Sequence, residues 1–324
     1  MPGKKKILLV GAGSLGVYFI SRLARSGFVE TALVVRSEYE VVSRQRGYSI
    51  SDKGEEYFFQ PDHILRNTTD CPFEPDYIFL CTKVLPGIPV AELIRPALAA
   101  KTIIVLIQNG IDIENEIAAA FPEHSLFSSI AYLCASRPAP GKILNDGPGK
   151  LEMGVYPSGS ISDLQELTDL FAAGGTLCTP VQNILQSRWR KLLWNIPYNP
   201  VSVLAGEADT GWMCDRGELE KLCYDLMLEV IAVAASTGVE LGKDEAAAMV
   251  EYTRRTPPYK SSMLQDYQAG RPLEVEAILG NALRIARKNQ VYVPKMEVCY
   301  ALLRSVDVLR TMKRNESNRK NGEA

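Results

Sequence analysis

Residues 5–20, KKILLVGAGSLGVYFI, constrain the fold more than any other stretch of the chain. A short apolar run, Ile7 to Val10, leads straight into Gly11-x-Gly13-x-x-Gly16, and an amphipathic sequence follows. A strand turning on glycines into a helix gives this spacing its meaning. Gly11 allows the tight turn, Gly13 lets a pyrophosphate approach the backbone, and Gly16 lets helix and strand pack closely. The helix N-terminus that follows then faces the phosphates with free N–H groups. Gly11, Gly13, Ser14, Leu15 and Gly16 are therefore read as a dinucleotide-binding loop.

The same alternation continues for about 180 residues. Ile7–Val10, Thr31–Val35, Tyr77–Thr82, Thr102–Gln108 and Ser125–Ala131 read as strands, and 16–26 and 87–99 as intervening helices. The runs at Tyr77 and Thr102 are almost wholly apolar, as strands covered on both faces of a parallel sheet are. A doubly wound α/β sheet is the expectation. Beyond Ala131 the chain becomes rich in Pro and Gly, and short alternating pieces at 142–145 and 151–155 read as antiparallel additions at the sheet edge.

Ligands of such sheets collect at strand C-termini. The second strand ends in Arg36, 20 residues after Gly16, where an NAD-preferring site carries an acid on the ribose. A guanidinium suits a 2′-phosphate, so NADPH is the expected cofactor. LCTKV presents Lys83, and LIQNG presents Gln108, Asn109 and Gly110, at two further strand ends.

Beyond Pro180 the chain reads as helices over 186–206, 217–237, 243–255, 260–268, 273–289 and 294–313. The first contains RWRKLLWNIPYNP, which sets Lys191, Asn195 and Asn199 on one stripe roughly 12 Å long among apolar residues. Buried polar groups need partners, supplied by the protein or by a ligand. Pro197, lacking an N–H, is expected to kink this helix.

Composition narrows the chemistry. A net charge of -2 with 46% hydrophobic and 23% charged residues gives no electrostatic reason to bind nucleic acid or membrane. No stretch reaches the ~18 apolar residues of a membrane span, and the apolar run after Lys4–Lys6 is too short for a signal peptide. The seven cysteines include no C-x-x-C pair and read as reduced thiols of a cytoplasmic protein. The only two histidines, His63 and His124, lie in the first half, so neither a histidine zinc site nor a histidine acid from the second half is available. Proton transfer falls to lysine or carboxylate. Lys191 is the natural candidate, with Glu274 and Glu276 as carboxylates in LEVEAILG and Ser262 in SSMLQD.

The pattern GAGSLG at 11, Arg36, CTK at 81, QNG at 108, RKLLWNIPYNP at 190, SSMLQD at 261 and LEVE at 273 resembles ketopantoate reductase (2-dehydropantoate 2-reductase) from residue 7 to about 310. The resemblance implies NADPH-dependent reduction of 2-dehydropantoate to pantoate, on the route to pantothenate and coenzyme A. It makes Lys191 the general acid, and Asn195 and Asn199 amides for the substrate's polar groups. Ser262 would hold the carboxylate, Glu274 the lysine and the substrate hydroxyl. Asn109 would lie by nicotinamide and substrate, and Lys83 on the cofactor side. The sequence departs from the biosynthetic pattern E-I-D-Y-x-N-G at Leu279, which stands in place of asparagine.

The resulting expectation is a Rossmann-type NADPH-binding domain over 1–181, and an all-α substrate domain over 182–313 resembling the C-terminal domain of 6-phosphogluconate dehydrogenase. A polar tail follows over 314–324, and the long apolar helices fit a homodimer or burial between the domains equally well. Two rivals use the same residues: a reductase of a different 2-keto acid or imine, and a NADPH-binding sensor without turnover.

Overall fold

In a computed structural model, described over residues 3–157 and 159–322, the chain forms two compact units. The first comprises Met1–Lys83, Gly87–Asn109 and Ile113–Ile184. The second comprises Val84–Pro86, Gly110–Asp112 and Leu185–Ala324.

The first unit is built on an eight-stranded sheet. From edge to edge its strands are Cys178–Pro180, Lys150–Val155, Leu126–Tyr132, Ile103–Leu106, Tyr77–Leu80, Lys5–Val10, Val29–Val34 and His63–Leu65. All neighbours from His63–Leu65 to Leu126–Tyr132 are parallel. The chain winds outward from Lys5–Val10 through Val29–Val34, then returns to its other side at Tyr77–Leu80. That reversal is the topological switch point of a Rossmann-type sheet, and the glycine turn sits on it. The central strands are sealed: Ile7, Leu8, Leu9, Phe79 and Val105 have no exposed surface.

Lys150–Val155 joins this sheet antiparallel to Leu126–Tyr132, as expected. Lys142–Asn145 does not. It pairs antiparallel with Ala135–Ala139 and parallel with Tyr48–Asp52 in a separate four-stranded sheet completed by Glu55–Phe59. The cause is burial: Tyr48, Ile50, Phe59 and Ile143 enter the same core as Phe19 and Phe127. The Tyr48–Phe59 hairpin was readable from its alternation and its turn, where Lys53 and Gly54 both take positive φ (52° and 86°) as a type I′ turn requires. The helix expected over 87–99 shrinks to Val90–Ile94 and a single 3₁₀ turn at Arg95–Ala97, since Pro96 has no N–H to continue it. A helix at Ile161–Ala173 was missed, although Ser160 caps it by accepting a hydrogen bond from the Asp163 N–H.

The second unit is helical, apart from its two short inserts. Its helices are Ile184–Leu204, Thr210–Cys214, Gly217–Ala235, Lys243–Arg255, Ser262–Gln268, Asn281–Lys288 and Pro294–Gly322. The segment expected as one helix from 273 contains a π-helical turn, Glu276–Gly280. The last helix carries the chain through most of 314–324, and Glu323 and Ala324 lie outside the described residues. A core of Leu192, Ile196, Met227, Val230, Ile278, Leu279 and Met296 holds the unit together.

Candidate active site

The glycine loop owes its composition to close approach. Gly11 has φ 101°, and a Cβ there would stand 2.5 Å from the Thr82 amide nitrogen. A Cβ on Gly16 would meet the Gly11 carbonyl oxygen at 2.6 Å and the Cys81 Cβ at 2.9 Å. No such collision constrains Gly13, where a Cβ would meet nothing within 4 Å. It is the N-cap of the 11-residue helix Ser14–Ala24 and offers no capping side chain, and no acid lies in the first turn. Open space before bare helical N–H groups, with the macrodipole's positive end behind them, is what a pyrophosphate needs.

The loop after Tyr77–Leu80 lies against this turn and is tied to the next strand end. The Gln108 amide nitrogen donates to the Thr82 carbonyl at 2.8 Å and its hydroxyl at 3.0 Å. Half-buried Lys83 and Asn109 are thereby carried at the C-terminal ends of adjacent strands. Arg36 stands exposed just past Val29–Val34, on the other side of the glycine turn, and enters no ion pair among the described residues. The first unit thus brings all the expected cofactor residues to one edge of the sheet.

In the second unit, Lys191, Asn195 and Asn199 share the helix Ile184–Leu204, which continues through both Pro197 and Pro200. Burial pushes the Lys191 ammonium down from 10.5 to about 8; the Arg188 charge pushes the same way and Glu274 opposes it. Asn195 is 6% exposed and Asn199 not at all. Neither polar atom of the Asn199 amide has a hydrogen-bond partner among the described residues. A buried amide left in that state costs ~1–3 kcal/mol, and few native groups bear such a cost without a function.

Glu274 and Ser262 come to this helix by different routes. The Glu274 carboxylate accepts from the Val84 N–H at 3.0 Å and acts on Lys191 through its charge. Ser262 is exposed at the first turn of its helix, while its neighbour Ser261, 1% exposed, does the structural work. The Ser261 hydroxyl caps the helix by accepting from the Leu264 N–H, and it shares a 2.8 Å hydrogen bond with Ser202, three residues past Asn199. Leu279 is fully buried in the apolar core.

A second brace involves residues that sequence reading passed over. Arg188, 1% exposed, donates to the Gly110 carbonyl at 3.0 Å, and the Ile111 N–H donates to the Ala277 carbonyl at 3.1 Å. Gly110 itself takes φ 108° and approaches Ala277 so closely that a Cβ would stand 2.5 Å from its oxygen. Arg188 carried one visible signal, a guanidinium three residues before Lys191 on the same helix. Ser261 carried another, as the residue before a helix start.

Residues 7–158 match the family described as "Ketopantoate reductase PanE/ApbA" and residues 183–307 its C-terminal counterpart, "Ketopantoate reductase PanE/ApbA C terminal". A 2-dehydropantoate 2-reductase from a Nostoc species is 30% identical over 94% of this chain and 96% of its own length. The chain belongs to the ketopantoate reductase family. Among solved structures, a 2-dehydropantoate 2-reductase from Methylococcus capsulatus is 38% identical, with TM-score 0.86, covering 94% of this chain and 97% of the other. At 22% identity, a D-mandelate dehydrogenase solved with NADH and anilino(oxo)acetate shares the ketopantoate reductase fold, with TM-score 0.85 over 94% of this chain and 99% of its own.

Burial raises all seven cysteine thiols, Cys178 to about 12 and Cys299 to about 11, so none is an activated nucleophile. All seven are free of disulfides. His63 and His124 lie in the first unit, engaged with Glu30 and the Thr102 carbonyl. Among the described residues no cluster of metal-ligating side chains occurs, and no helix is long and apolar enough to cross a membrane.

Proposed function

We propose that the protein is a cytoplasmic oxidoreductase that reduces 2-dehydropantoate to pantoate with NADPH, on the route to pantothenate and coenzyme A. The observation that carries this reading is Lys191. An ammonium held near 8 is still mostly charged at neutral pH, yet close enough to neutrality to give up its proton readily. A nicotinamide held by the glycine loop would supply the hydride for the carbonyl carbon. Lys191 donates its proton to the carbonyl oxygen as the alkoxide forms. Glu274 opposes the loss of charge on the lysine and orients it, and would accept a hydrogen bond from the substrate hydroxyl. Asn195 and the two unpartnered atoms of Asn199 bind substrate oxygens, with Ser262 on the carboxylate. Arg36 takes the 2′-phosphate; the glycine loop, Lys83 and Asn109 complete the cofactor side.

The test is loss of NADPH absorbance with purified protein and 2-dehydropantoate, with NADH and simple 2-keto acids alongside. Turnover with 2-dehydropantoate and NADPH supports the reading; tight NADPH binding without that turnover removes the substrate assignment.

One observation favours a second reading, reduction of a different 2-keto acid. Leu279 replaces the asparagine of the biosynthetic pattern and is packed in the apolar core, so no amide is available there. Keto acids with and without a 4-hydroxyl discriminate, because Glu274 rewards the hydroxyl only in the first reading.

A further inference from the structure

Two acids follow Arg36 closely enough to repel a phosphate bound there: Glu38 is two residues on and Glu40 four. The Tyr39 N–H donates to the Arg36 carbonyl at 3.3 Å, closing a turn with Glu38 at its third position. Each acid is met by a cation from elsewhere in the first unit. Arg66, just past the edge strand His63–Leu65, pairs with Glu40 and stacks on the Tyr39 ring at 3.9 Å. Its side chain and that of Glu40 are 55% and 76% exposed, so water screens the pair and it holds little. Glu38 is engaged differently. One of its carboxylate oxygens accepts from the Arg137 guanidinium at 3.0 Å and the other from the Gly141 N–H at 3.1 Å. The Glu38 side chain is 12% exposed and that of Arg137 27%. Charge-assisted bonds at that depth are the strong ones, and removing one partner leaves a charge that burial penalises.

Both donors come from the small sheet. Arg137 lies on the strand Ala135–Ala139, and Gly141 in the turn that leads to Lys142–Asn145. That turn is itself held, because the Ser49 N–H and the Gln45 amide both donate to the Gly141 carbonyl, at 2.9 and 3.4 Å. We propose that Arg137 is a positioning residue for the 2′-phosphate: it holds Glu38 against the small sheet, keeps that carboxylate away from Arg36, and so sets the preference for NADPH over NADH. This rests on the reading of Arg36 as the 2′-phosphate contact. An acid near this strand end is what an NAD-preferring site carries, so a released Glu38 opposes a phosphate and tolerates a hydroxyl.

Fluorescence titration of the purified chain with NADPH and with NADH gives two dissociation constants for each variant. Arg137→Met should raise that for NADPH ~10-fold, the effect of one close like charge, and leave that for NADH within about twofold. Glu38→Gln leaves no carboxylate to release and should keep the preference for NADPH. The double variant Glu38→Gln, Arg137→Met should recover most of the NADPH affinity lost in Arg137→Met, since a glutamine oxygen still accepts from Gly141 and carries no charge. A merely structural brace would instead lower the melting temperature and weaken both cofactors together. Equal changes for the two cofactors in Arg137→Met overturn the proposal. So does a Glu38→Gln chain that loses its preference, or a double variant no better than Arg137→Met. Arg36→Gln separates this proposal from the reading beneath it. Selective loss of NADPH in Arg36→Gln beside an unselective Arg137→Met strikes the role of Arg137 alone, whereas an unselective Arg36→Gln strikes the 2′-phosphate contact and the role of Arg137 with it.

Discussion

Replacing Lys191 by methionine keeps an unbranched side chain and removes the charge, and the structure fixes what should follow. A lysine whose folded value is about 8 against 10.5 free binds its proton more weakly in the folded state than in the unfolded one. Below pH 8 both states are charged and the folded state bears the whole cost of burial. Between 8 and 10.5 that cost shrinks, and above it is gone. At ~1.4 kcal/mol per tenfold change in the ionisation constant the cost is ~3 kcal/mol, and the partial exposure of the side chain trims it to ~1–3 kcal/mol. Lys191→Met should therefore be more stable than wild type at pH 7, by that amount, with the advantage fading as pH rises through 8 towards 10.5. Urea unfolding of both chains at several pH values from 7 upward reads the effect. The same substitution should lower kcat ~100- to 10,000-fold while sparing NADPH affinity. Wild-type kcat should fall tenfold per pH unit above about 8, as the charged acid is lost. A stability difference that stays constant with pH, or a wild-type rate still level at pH 10, would refute the reasoning that burial holds this lysine near neutrality.

Other residues give independent checks. Arg36→Glu should raise the KM for NADPH ~10- to 100-fold and leave that for NADH nearly unchanged, the loss being one charge-assisted contact; equal changes for both cofactors would separate Arg36 from the 2′-phosphate. Asn199→Leu removes an amide with no hydrogen-bond partner among the described residues, so the melting temperature should hold or rise while the keto acid KM climbs ~10-fold or more; a large loss of stability would mean the amide serves the fold. Gly16→Ala places a methyl 2.6 Å from the Gly11 carbonyl, and should cost ~1–3 kcal/mol of stability together with NADPH affinity, read by thermal melts and fluorescence titration.

Which parts of this molecule the sequence disclosed follows from how local their causes are. The glycine turn, the sealed strands at Tyr77 and Ile103 and most helices of the second unit are set by residues within a few positions of one another, and their boundaries came out within a few residues, whereas the helix Thr210–Cys214 was missed and the last helix runs on to Gly322, nine residues past its expected end. Lys142–Asn145 was misplaced because its partner strand, Tyr48–Asp52, lies about 90 residues earlier, and only the shared burial of Ile50 and Ile143 selects it. The bracing of Gly110 by Arg188 is equally non-local, at 78 residues' separation. Ser261 and Ser262 show a finer limit. Adjacent identical residues differ in role because the helix start turns one hydroxyl inward to Ser202 and leaves the other exposed.

The same distinction explains why the chemistry is better determined than the substrate. The proposed acid is defined by its own helix and by burial: Lys191 stands among Leu192, Leu193 and Trp194, with Arg188 one turn behind, and that environment sets its proton affinity. Asn199, whose amide has no hydrogen-bond partner among the described residues, would under the proposed reading accept any substrate oxygen of the right reach. Discrimination between keto acids needs a group that meets the variable end of the substrate, and a site built to hydrogen-bond a hydroxyl rejects its absence far more strongly than an apolar wall rejects a methylene. Under the proposed reading Glu274 is the group that meets the hydroxyl, while Leu279, packed in the apolar core, offers no amide there. The ratio of kcat/KM for keto acids with and without the 4-hydroxyl therefore reports on Glu274. In Glu274→Gln that ratio should collapse towards one if the carboxylate recognises the hydroxyl, and stay unchanged if Glu274 serves Lys191 alone.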